Sequence, residues 1–229
     1  MPVYSEEETI IEIVEYLLKN LPQLIQEVIL VYHPNSSDKC LKILNNLNTK
    51  YEKVRIIHQR LDQKGGNGIA YRQGFKEAQG THILMIDSDG EMDVTTVPLM
   101  IKKLNETNSS IVIASRYVKG GGLVGYAIYK SIVNPIFHLI FKFLFSTKVK
   151  DLTCGFKIIK TELIKKYNWV AKYQDIAFET TLRPLKDGEK ISEVPTVWRR
   201  KHGVKNNALS ILGNLRYPIL GIKILLNLK

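Results

Sequence analysis

The sequence has few cysteines, no long uncharged run and fewer acids than bases. Cys40 and Cys154 are the only cysteines in 229 residues, and no cysteines or histidines have zinc-ligand spacing. We therefore expect reduced thiols in a cytosolic protein rather than a disulfide scaffold. No stretch of 18 residues lacks a charge, which argues against a membrane-spanning helix. The start, MPVYSEEETI, is acidic where a secretory signal peptide would be basic.

The shortage of acids leaves the chain strongly basic. There are 22 Asp and Glu against 33 Lys and Arg, a net charge of +11, which predicts an anionic partner. From Arg183 onward ten basic residues face three acids, next to apolar sequence and without interleaved aromatic residues for base stacking. This pattern favours anionic lipid or a lipid phosphate over nucleic acid. The 45% of hydrophobic residues suffices for a substantial core and excludes a disordered chain.

Short β-branched runs alternate with helical patterns through the first half of the chain. Residues 28–32 (VILVY) and 111–115 (IVIAS) are typical of buried strands, and apolar residues recur at helical intervals between such runs. Ser5 and Glu8 have capping-box spacing, which predicts a helix beginning in that turn. The alternation predicts an α/β fold with a doubly wound sheet, in one domain over residues 1–206.

Two apolar segments carry internal charges. Residues 126–145 are interrupted by Lys130 and Lys142, and residues 207–229 form a tail of similar texture that contains Lys223. Lysines within such segments are poorly tolerated across a bilayer, whereas an interfacial helix lets them reach the headgroups. The segments are therefore predicted as helices at a membrane interface. The alternative is a core helix covered by the rest of the protein.

The strongest local signal is the acidic segment MIDSDGEMD, which follows an apolar strand. Ligands of open α/β sheets bind outside the carboxyl ends of the strands, where Asp87, Asp89 and Glu91 are placed to hold a hard divalent cation. Mg²⁺ or Mn²⁺ is expected, with phosphate oxygens completing the coordination. The alternative is a solvated acidic turn that caps the next helix.

Two further segments are compatible with anion binding, although each also has a purely structural explanation. The opening PVYSEEE turns into a helix N-terminus, whose free N–H groups favour anions but whose glutamates satisfy the same dipole. In GGNGIAYRQGF the glycines permit close backbone approach, and Arg72 could reach a diphosphate. A plain strand-to-helix turn with a surface arginine explains that segment equally well.

In this order, the segments resemble glycosyltransferase family 2 of the GT-A fold, in its dolichyl or polyprenyl phosphate mannosyl- and glucosyltransferase branch. The likeness covers nearly the whole chain. It rests on PVYSEEETI, GNGIAYRQGFKEAQG, MIDSDGEMD, IASRYVKGGG, DLTCGF and VPTVWRRKHG. The resemblance implies a Rossmann-like, doubly wound mixed sheet.

The resemblance also assigns residues. It implies that the donor nucleotide is lined by Pro2, Tyr4 and Glu6, and that the metal on the donor diphosphate is held by Asp87, Asp89 and Glu91. The residues expected to face the phosphates of donor or acceptor are Arg116, Lys130 and Arg200. Asp89 and Arg116 are thus catalytic candidates. Asp151, a third candidate, and Glu179 lie in matching blocks, and each either touches substrate or orients a basic neighbour.

The implied reaction is displacement at the anomeric carbon of a nucleotide-sugar, with inversion, by the phosphate of a polyprenyl acceptor. Such a protein is expected to be peripheral on the cytoplasmic face of a membrane. One alternative extends a saccharide acceptor in surface-polysaccharide assembly and requires a general base. The other is a catalytically silent binding protein at the membrane.

The sequence departs from the family pattern at several positions. Tyr32 and His33 stand where relatives usually carry a base-contacting acid pair, so His33 is a candidate contact to base or ribose. Asn67 replaces a frequent lysine, and Lys205 lies one position from the usual terminal lysine of the late basic motif. Only Met1 precedes the opening turn, where the family has its first strand. We expect a start further upstream, or cover supplied by a partner or a rearranged edge.

Overall fold

The computed structural model describes residues 1–60, 66–126, 128–201 and 215–228, and the side chains of residues 128–132 lie outside this description. The described strands are β1 (Pro2–Val3), β2 (Val28–Tyr32), β3 (Val54–His58), β4 (His82–Met85), β5 (Ile111–Ser115), β6 (Gly122–Val124), β7 (Lys157–Lys160), β8 (Ile191–Pro195) and β9 (Val197–Arg199). The described helices are α1 (Glu8–Asn20), α2 (Asp38–Lys50), α3 (Asn67–Glu77), α4 (Val97–Thr107), α5 (Ile128–Leu144), α6 (Thr161–Lys166), α7 (Ile176–Lys186) and α8 (Arg216–Leu225).

The strands form three hydrogen-bonded groups. In the first, β1, β2 and β3 are parallel and lie in that order. The second has the order β4-β7-β5-β8, with β7 antiparallel to both neighbours and β8 parallel to β5. The third is the parallel pair β6 and β9. This confirms the expected α/β fold with mixed strand directions.

The first strand is present but short. β1 consists of two residues, and its register pairs Pro2 with Val31 and Val3 with Tyr32. Beside it, a cavity of about 350 Å³ between β2 and β4 is lined mainly by apolar side chains of the strands and of α1, α3 and α4. The expectation that this strand is absent is therefore corrected, because a two-residue strand occupies its place.

The N-terminal helix begins as its apolar spacing predicts, but without the predicted cap. Four apolar residues at helical spacing along α1 are buried, namely Ile10, Ile13, Val14 and Leu17. The capping-box prediction is wrong, because Glu7 is the N-cap residue and makes no side-chain cap hydrogen bond. The Glu6 carboxylate instead accepts the backbone N–H groups of Tyr4 and Ser5, at 2.8 and 3.1 Å. The turn between β1 and α1 is closed by this carboxylate.

Helix α8, the described part of the tail, packs against the main core. Leu220 and Ile224 belong to the same buried cluster as Phe141 of α5 and Phe178 of α7. Gly221 lies so close to Phe141 that a Cβ atom there would be 2.2 Å from Cε1 of the ring. The tail that the sequence sets apart is therefore continuous with the core over these residues.

The outer sides of α5 and α8 expose apolar side chains. The largest exposures on α5 are 82% for Phe143 and 66% for Leu139. We call the following set the α5–α8 apolar surface: Val133, Ile136, Leu139, Ile140, Phe143, Ile219, Ile222 and Leu226. Among the helices described, none combines the length and the apolar character needed to cross a bilayer.

Candidate active site

A pocket of about 270 Å³ opens where β4 ends and α7 begins, with β6 and β9 on its far side. Unlike the larger apolar cavity between β2 and β4, it collects acids and bases. Its charged lining residues are Asp87, Asp89, Glu91, Arg116 and Arg200. The pocket therefore lies at the carboxyl end of a strand, where ligands of open α/β sheets bind.

Asp87 and Asp89 are two half-buried carboxylates that form no ion pair with a Lys or Arg side chain among the described contacts, although the charge of the chain's N-terminus acts on Asp87. Asp87 follows β4 and accepts a hydrogen bond from the Tyr71 hydroxyl at 2.8 Å. Burial raises the pKa of Asp87, although this hydrogen bond opposes the rise. Burial and the neighbouring Asp87 charge also raise the pKa of Asp89, which accepts the backbone N–H of Glu91 at 2.9 Å. The two acids therefore repel each other in the absence of a counter-charge.

Glu91 lies in the same turn but is drawn toward β9. Its backbone carbonyl accepts the N–H of Arg199 at 2.8 Å. Burial raises the pKa of its carboxyl, while the Lys201 backbone N–H and the Trp198 side chain oppose the rise. Its buried Oε1 atom has no hydrogen-bond partner among the described residues.

The donor set suits a hard cation, although a three-acid site is not assembled. Over the residues that the structure describes, no three His, Cys, Asp and Glu side chains gather closely enough to hold a metal ion. Asp87 and Asp89 nevertheless offer oxygen ligands in one pocket, and the unpartnered Glu91 oxygen lies nearby. The oxygen donors of the pair suit Mg²⁺ or Mn²⁺, and the assignment of Asp87, Asp89 and Glu91 as metal ligands stays a prediction.

Arg116 follows β5 and is held by Asp151. Its Nε and Nη2 atoms donate to the two Asp151 carboxylate oxygens at 2.8 and 2.7 Å, and its backbone N–H donates at 3.0 Å. Nη2 also donates to the Thr153 hydroxyl at 2.9 Å. Burial alone would raise the pKa of Asp151, but the Arg116 charge and hydrogen bonds outweigh it and lower that pKa. Asp151 is fully buried and orients Arg116, one of the two roles that the sequence left open.

Arg200 is the second basic residue of the pocket. It directly follows β9, and its backbone N–H donates to the Val124 carbonyl at 3.0 Å, which fixes it against β6. Two of the three predicted phosphate-facing residues, Arg116 and Arg200, therefore line one pocket. The side chain of Lys130 and the whole of Lys205 lie outside the described residues.

The predicted nucleotide-binding residues form a second group beside the pocket. The rings of Tyr4 and His33, at the carboxyl ends of β1 and β2, lie 5.1 Å apart between centroids. The Pro2 carbonyl accepts the Ser88 hydroxyl at 2.7 Å, and the Thr9 hydroxyl donates to the Ser88 carbonyl at 2.6 Å. Because Ser88 separates Asp87 from Asp89, the opening turn is tied directly to the acidic segment.

Comparison with known proteins decides the family. The sequence model for "Glycosyl transferase family 2" matches residues 1–168. The chain belongs to this family.

The curated relatives of this family 2 chain include dolichyl phosphate transferases. It is 27% identical to a dolichol-phosphate mannosyltransferase of Pyrococcus furiosus. The 199 aligned residues cover 85% of this chain and 54% of that protein. The chain is 24% identical to a dolichyl-phosphate beta-glucosyltransferase of Trichomonas vaginalis, over 96% of this chain and 67% of that protein. The chain thus spans only about half of the archaeal relative.

Solved structures show the same fold. The glucosyl-3-phosphoglycerate synthase of Mycobacterium tuberculosis, with phosphoglyceric acid, matches with a TM-score of 0.72 at 17% identity, over 100% of this chain and 79% of that one. The same enzyme in complex with Mn²⁺, UDP and phosphoglyceric acid gives 0.70 at 16% identity, over 99% and 75%. The likeness confirms the GT-A fold expected from the sequence.

Several pocket residues of this family 2 chain were missed by sequence reasoning. The additional lining residues with polar or aromatic groups include Tyr71, Tyr126, Thr153, Gln174, Trp198 and Tyr217. Tyr71 and Trp198 lie within segments that carry the family resemblance, so the sequence indicates that these segments belong to the site but does not single out these two residues. Arg72, the candidate diphosphate contact of the glycine-rich segment, is not among the pocket-lining residues. It remains a predicted diphosphate contact.

Glu179 holds the backbone segment that precedes α7 in place. Its carboxylate is buried and accepts the N–H groups of Val170 and Ala171, at 3.0 and 2.8 Å, and Nε of Arg183 at 2.7 Å. These contacts fix the segment before α7. That segment packs on α3 so closely that a Cβ atom on Gly68 would lie 2.5 Å from the Lys172 carbonyl carbon. Glu179 thus orients its basic neighbour Arg183, which is one of the two roles that the sequence left open.

Proposed function

We propose that this chain transfers a sugar from a nucleotide-sugar to a polyprenyl phosphate, with inversion at the anomeric carbon. One observation supports this most strongly. Asp87 and Asp89 line a pocket of about 270 Å³ together with Arg116 and Arg200. Acids that suit a cation and arginines that suit phosphate are the complementary halves of a site for a sugar diphosphate.

The donor lies across the opening turn and the acidic segment. Tyr4 and His33 contact the base or ribose, because their rings stand together at the ends of β1 and β2. Pro2 and Glu6 shape that turn through their contacts with Ser88 and with the Tyr4 and Ser5 amides. Asp87 and Asp89 would hold Mg²⁺ or Mn²⁺, which neutralises the departing diphosphate when bound.

The arginines serve the phosphates. Asp151 restrains the Arg116 guanidinium through two side-chain hydrogen bonds, so little conformational freedom is lost when Arg116 binds an anion. Arg200 approaches the same pocket from β9. The bond between the anomeric carbon and the diphosphate oxygen breaks while an acceptor phosphate oxygen forms the new bond from the opposite face.

A phosphate acceptor agrees with the acids available. It is already anionic and needs no general base, unlike a saccharide hydroxyl. Among the described lining residues, the acids are Asp87, Asp89 and Glu91, all from one turn. Asp151 and Glu179 are fully buried and already bonded to arginines.

The α5–α8 apolar surface supports a lipid acceptor and peripheral binding at the cytoplasmic face of a membrane. It exposes large side chains such as Phe143 and Leu139, and the same two helices carry Lys142 and Lys223. Apolar side chains next to lysines favour an anionic bilayer surface. Both cysteines are free and buried, as expected of a cytosolic location. The names of the dolichyl phosphate relatives point to the same acceptor class.

The direct test is transfer of radiolabelled sugar. The full chain is incubated with GDP-mannose or UDP-glucose, Mn²⁺ or Mg²⁺, and polyprenyl phosphate in anionic vesicles. We expect label in the organic phase only when polyprenyl phosphate is present. Asp87→Asn should abolish transfer, whereas Asp187→Asn, a change in the surface pair with Lys166, should not. Label found only in water-soluble saccharide would contradict the proposed acceptor.

A further inference from the structure

Helix α8 reaches the candidate active site through one side chain. Tyr217 stands in its first turn and lines the pocket together with Asp87 and Arg116. The helix lies beyond residue 168, where the family match ends, and the sequence placed it in a separate tail. The sequence therefore predicts no role for Tyr217 in substrate binding.

The position of α8 is fixed at three points along its length. At its start, the Arg216 guanidinium lies 3.7 Å from the centroid of the Tyr173 ring, within cation–π distance. In its middle, Gly221 allows contact with the Phe141 ring that any larger residue would prevent. At its end, Lys186 Nζ donates to the carbonyls of Ile224 and Leu225, at 2.6 and 2.8 Å. Tyr217 is therefore carried by a helix that is anchored to α5 and α7.

The Tyr217 ring is packed, which directs its hydroxyl. Its centroid lies 5.8 Å from that of Phe178 and 6.3 Å from that of Phe137. These two rings belong to α7 and α5. A packed aromatic ring holds its hydroxyl group at a defined place, and Tyr217 lines the pocket that contains Asp87 and Arg116.

The surroundings keep that hydroxyl protonated. Burial, followed by the Asp175 charge, raises the pKa of Tyr217, and Asp87 acts in the same direction while Arg116 opposes it. A protonated phenol donates a hydrogen bond without adding charge to the pocket. Such a donor suits a phosphate or sugar oxygen beside acids that bind a cation.

We propose that Tyr217 is a substrate-contacting residue whose hydroxyl donates a hydrogen bond to the sugar diphosphate of the donor. The inference rests on the proposed function and deepens it, because it makes the C-terminal helix part of the donor site. The outer face of the same helix carries Ile219 and Ile222 of the α5–α8 apolar surface, and Leu226 directly follows its end. The helix therefore joins the pocket to the surface proposed to meet the membrane.

The test is Tyr217→Phe, which removes the hydroxyl and keeps the ring packed on Phe178. We expect kcat/KM for sugar transfer to fall about 10- to 100-fold, the loss expected for one hydrogen bond to a charged group. The melting temperature should stay unchanged. The matched control is Tyr167→Phe. In the wild type the Tyr167 hydroxyl donates to Asp187 at 2.7 Å on the surface, so its removal should leave kcat/KM unchanged.

Binding measurements distinguish the failures. UDP, GDP, UDP-glucose and GDP-mannose are titrated, each with Mn²⁺, into the wild type and into Tyr217→Phe. Weaker binding of the nucleotide itself places the contact on the diphosphate, and weaker binding of the nucleotide-sugar alone places it on the sugar; both support the inference. If the wild type binds and transfers and Tyr217→Phe matches it in every measurement, the inference is overturned alone. A wild type that neither binds nor transfers overturns the proposed function and this inference with it.

Discussion

Two sets of carboxylates lie within this one site, and they differ in burial and in partners: Asp151 is fully buried, whereas Asp87 and Asp89 are half-buried. Asp151 receives three hydrogen bonds from Arg116, and its pKa is lowered despite complete burial. Asp87 and Asp89 form no ion pair with a Lys or Arg side chain among the described contacts, and burial raises the pKa of both, although the charge of the chain's N-terminus opposes the rise at Asp87. A buried acid with an arginine partner is complete within the chain. An acid pair without one is neutralised by a proton or by a bound cation, and this difference in partners is why we propose a positioning role for Asp151 and a cation-binding role for Asp87 and Asp89.

The largest expected effect concerns the completed pair. Asp151→Asn leaves the Arg116 charge without its partner, so we expect the free energy of unfolding to fall by about 3 to 5 kcal/mol. Transfer activity should fall as well, because Arg116 is no longer held. Urea or thermal unfolding measures the stability.

The matched control for that variant is Asp187→Asn. Asp187 pairs with Lys166 at 3.0 Å on the surface, and the loss should stay below about 1 kcal/mol. An Asp151→Asn protein as stable as this control would show that the Arg116 pair does not organise the site.

The smallest expected effect on stability concerns the incomplete pair. Asp89→Asn removes one of two like charges, and Asn retains an oxygen that accepts the Glu91 N–H. We expect the melting temperature in EDTA to stay the same or to rise. The free energy of unfolding should change by no more than about 1 kcal/mol. The measurement is thermal unfolding of the metal-free protein. A loss of several kcal/mol would mean that Asp89 is bonded within the fold, as Asp151 is.

The sequence predicts one half of this comparison better than the other. An acidic segment after an apolar strand is visible locally, so residue type and spacing are enough to predict Asp87 and Asp89 as site residues, and both line the pocket. The partner of Asp151 is 35 residues away, and the two meet because β5 ends beside the turn that precedes β7. No local pattern carries that contact, which is why the role of Asp151 stayed open.

The same reason explains the missed aromatic residues. Tyr126, Trp198 and Tyr217 come from the end of β6, from β9 and from α8, and only tertiary packing brings them to one pocket. Local rules also failed where a competing contact was available. The capping box at Ser5 did not form, because the Glu6 carboxylate closes the turn before the helix begins. The short β1 pairing with β2 likewise depends on backbone contacts that composition does not encode.

The central claim is that Asp87 and Asp89 bind a nucleoside diphosphate through a divalent cation. Calorimetric titration of UDP and of GDP, each with Mn²⁺ and with EDTA, into the wild type and into Asp89→Asn tests it most directly. We predict that at least one nucleotide binds the wild type only with Mn²⁺, that Asp89→Asn loses this binding, and that Asp187→Asn keeps it. Equal nucleotide binding in EDTA, or undiminished Mn²⁺-dependent binding by Asp89→Asn, would contradict the claim.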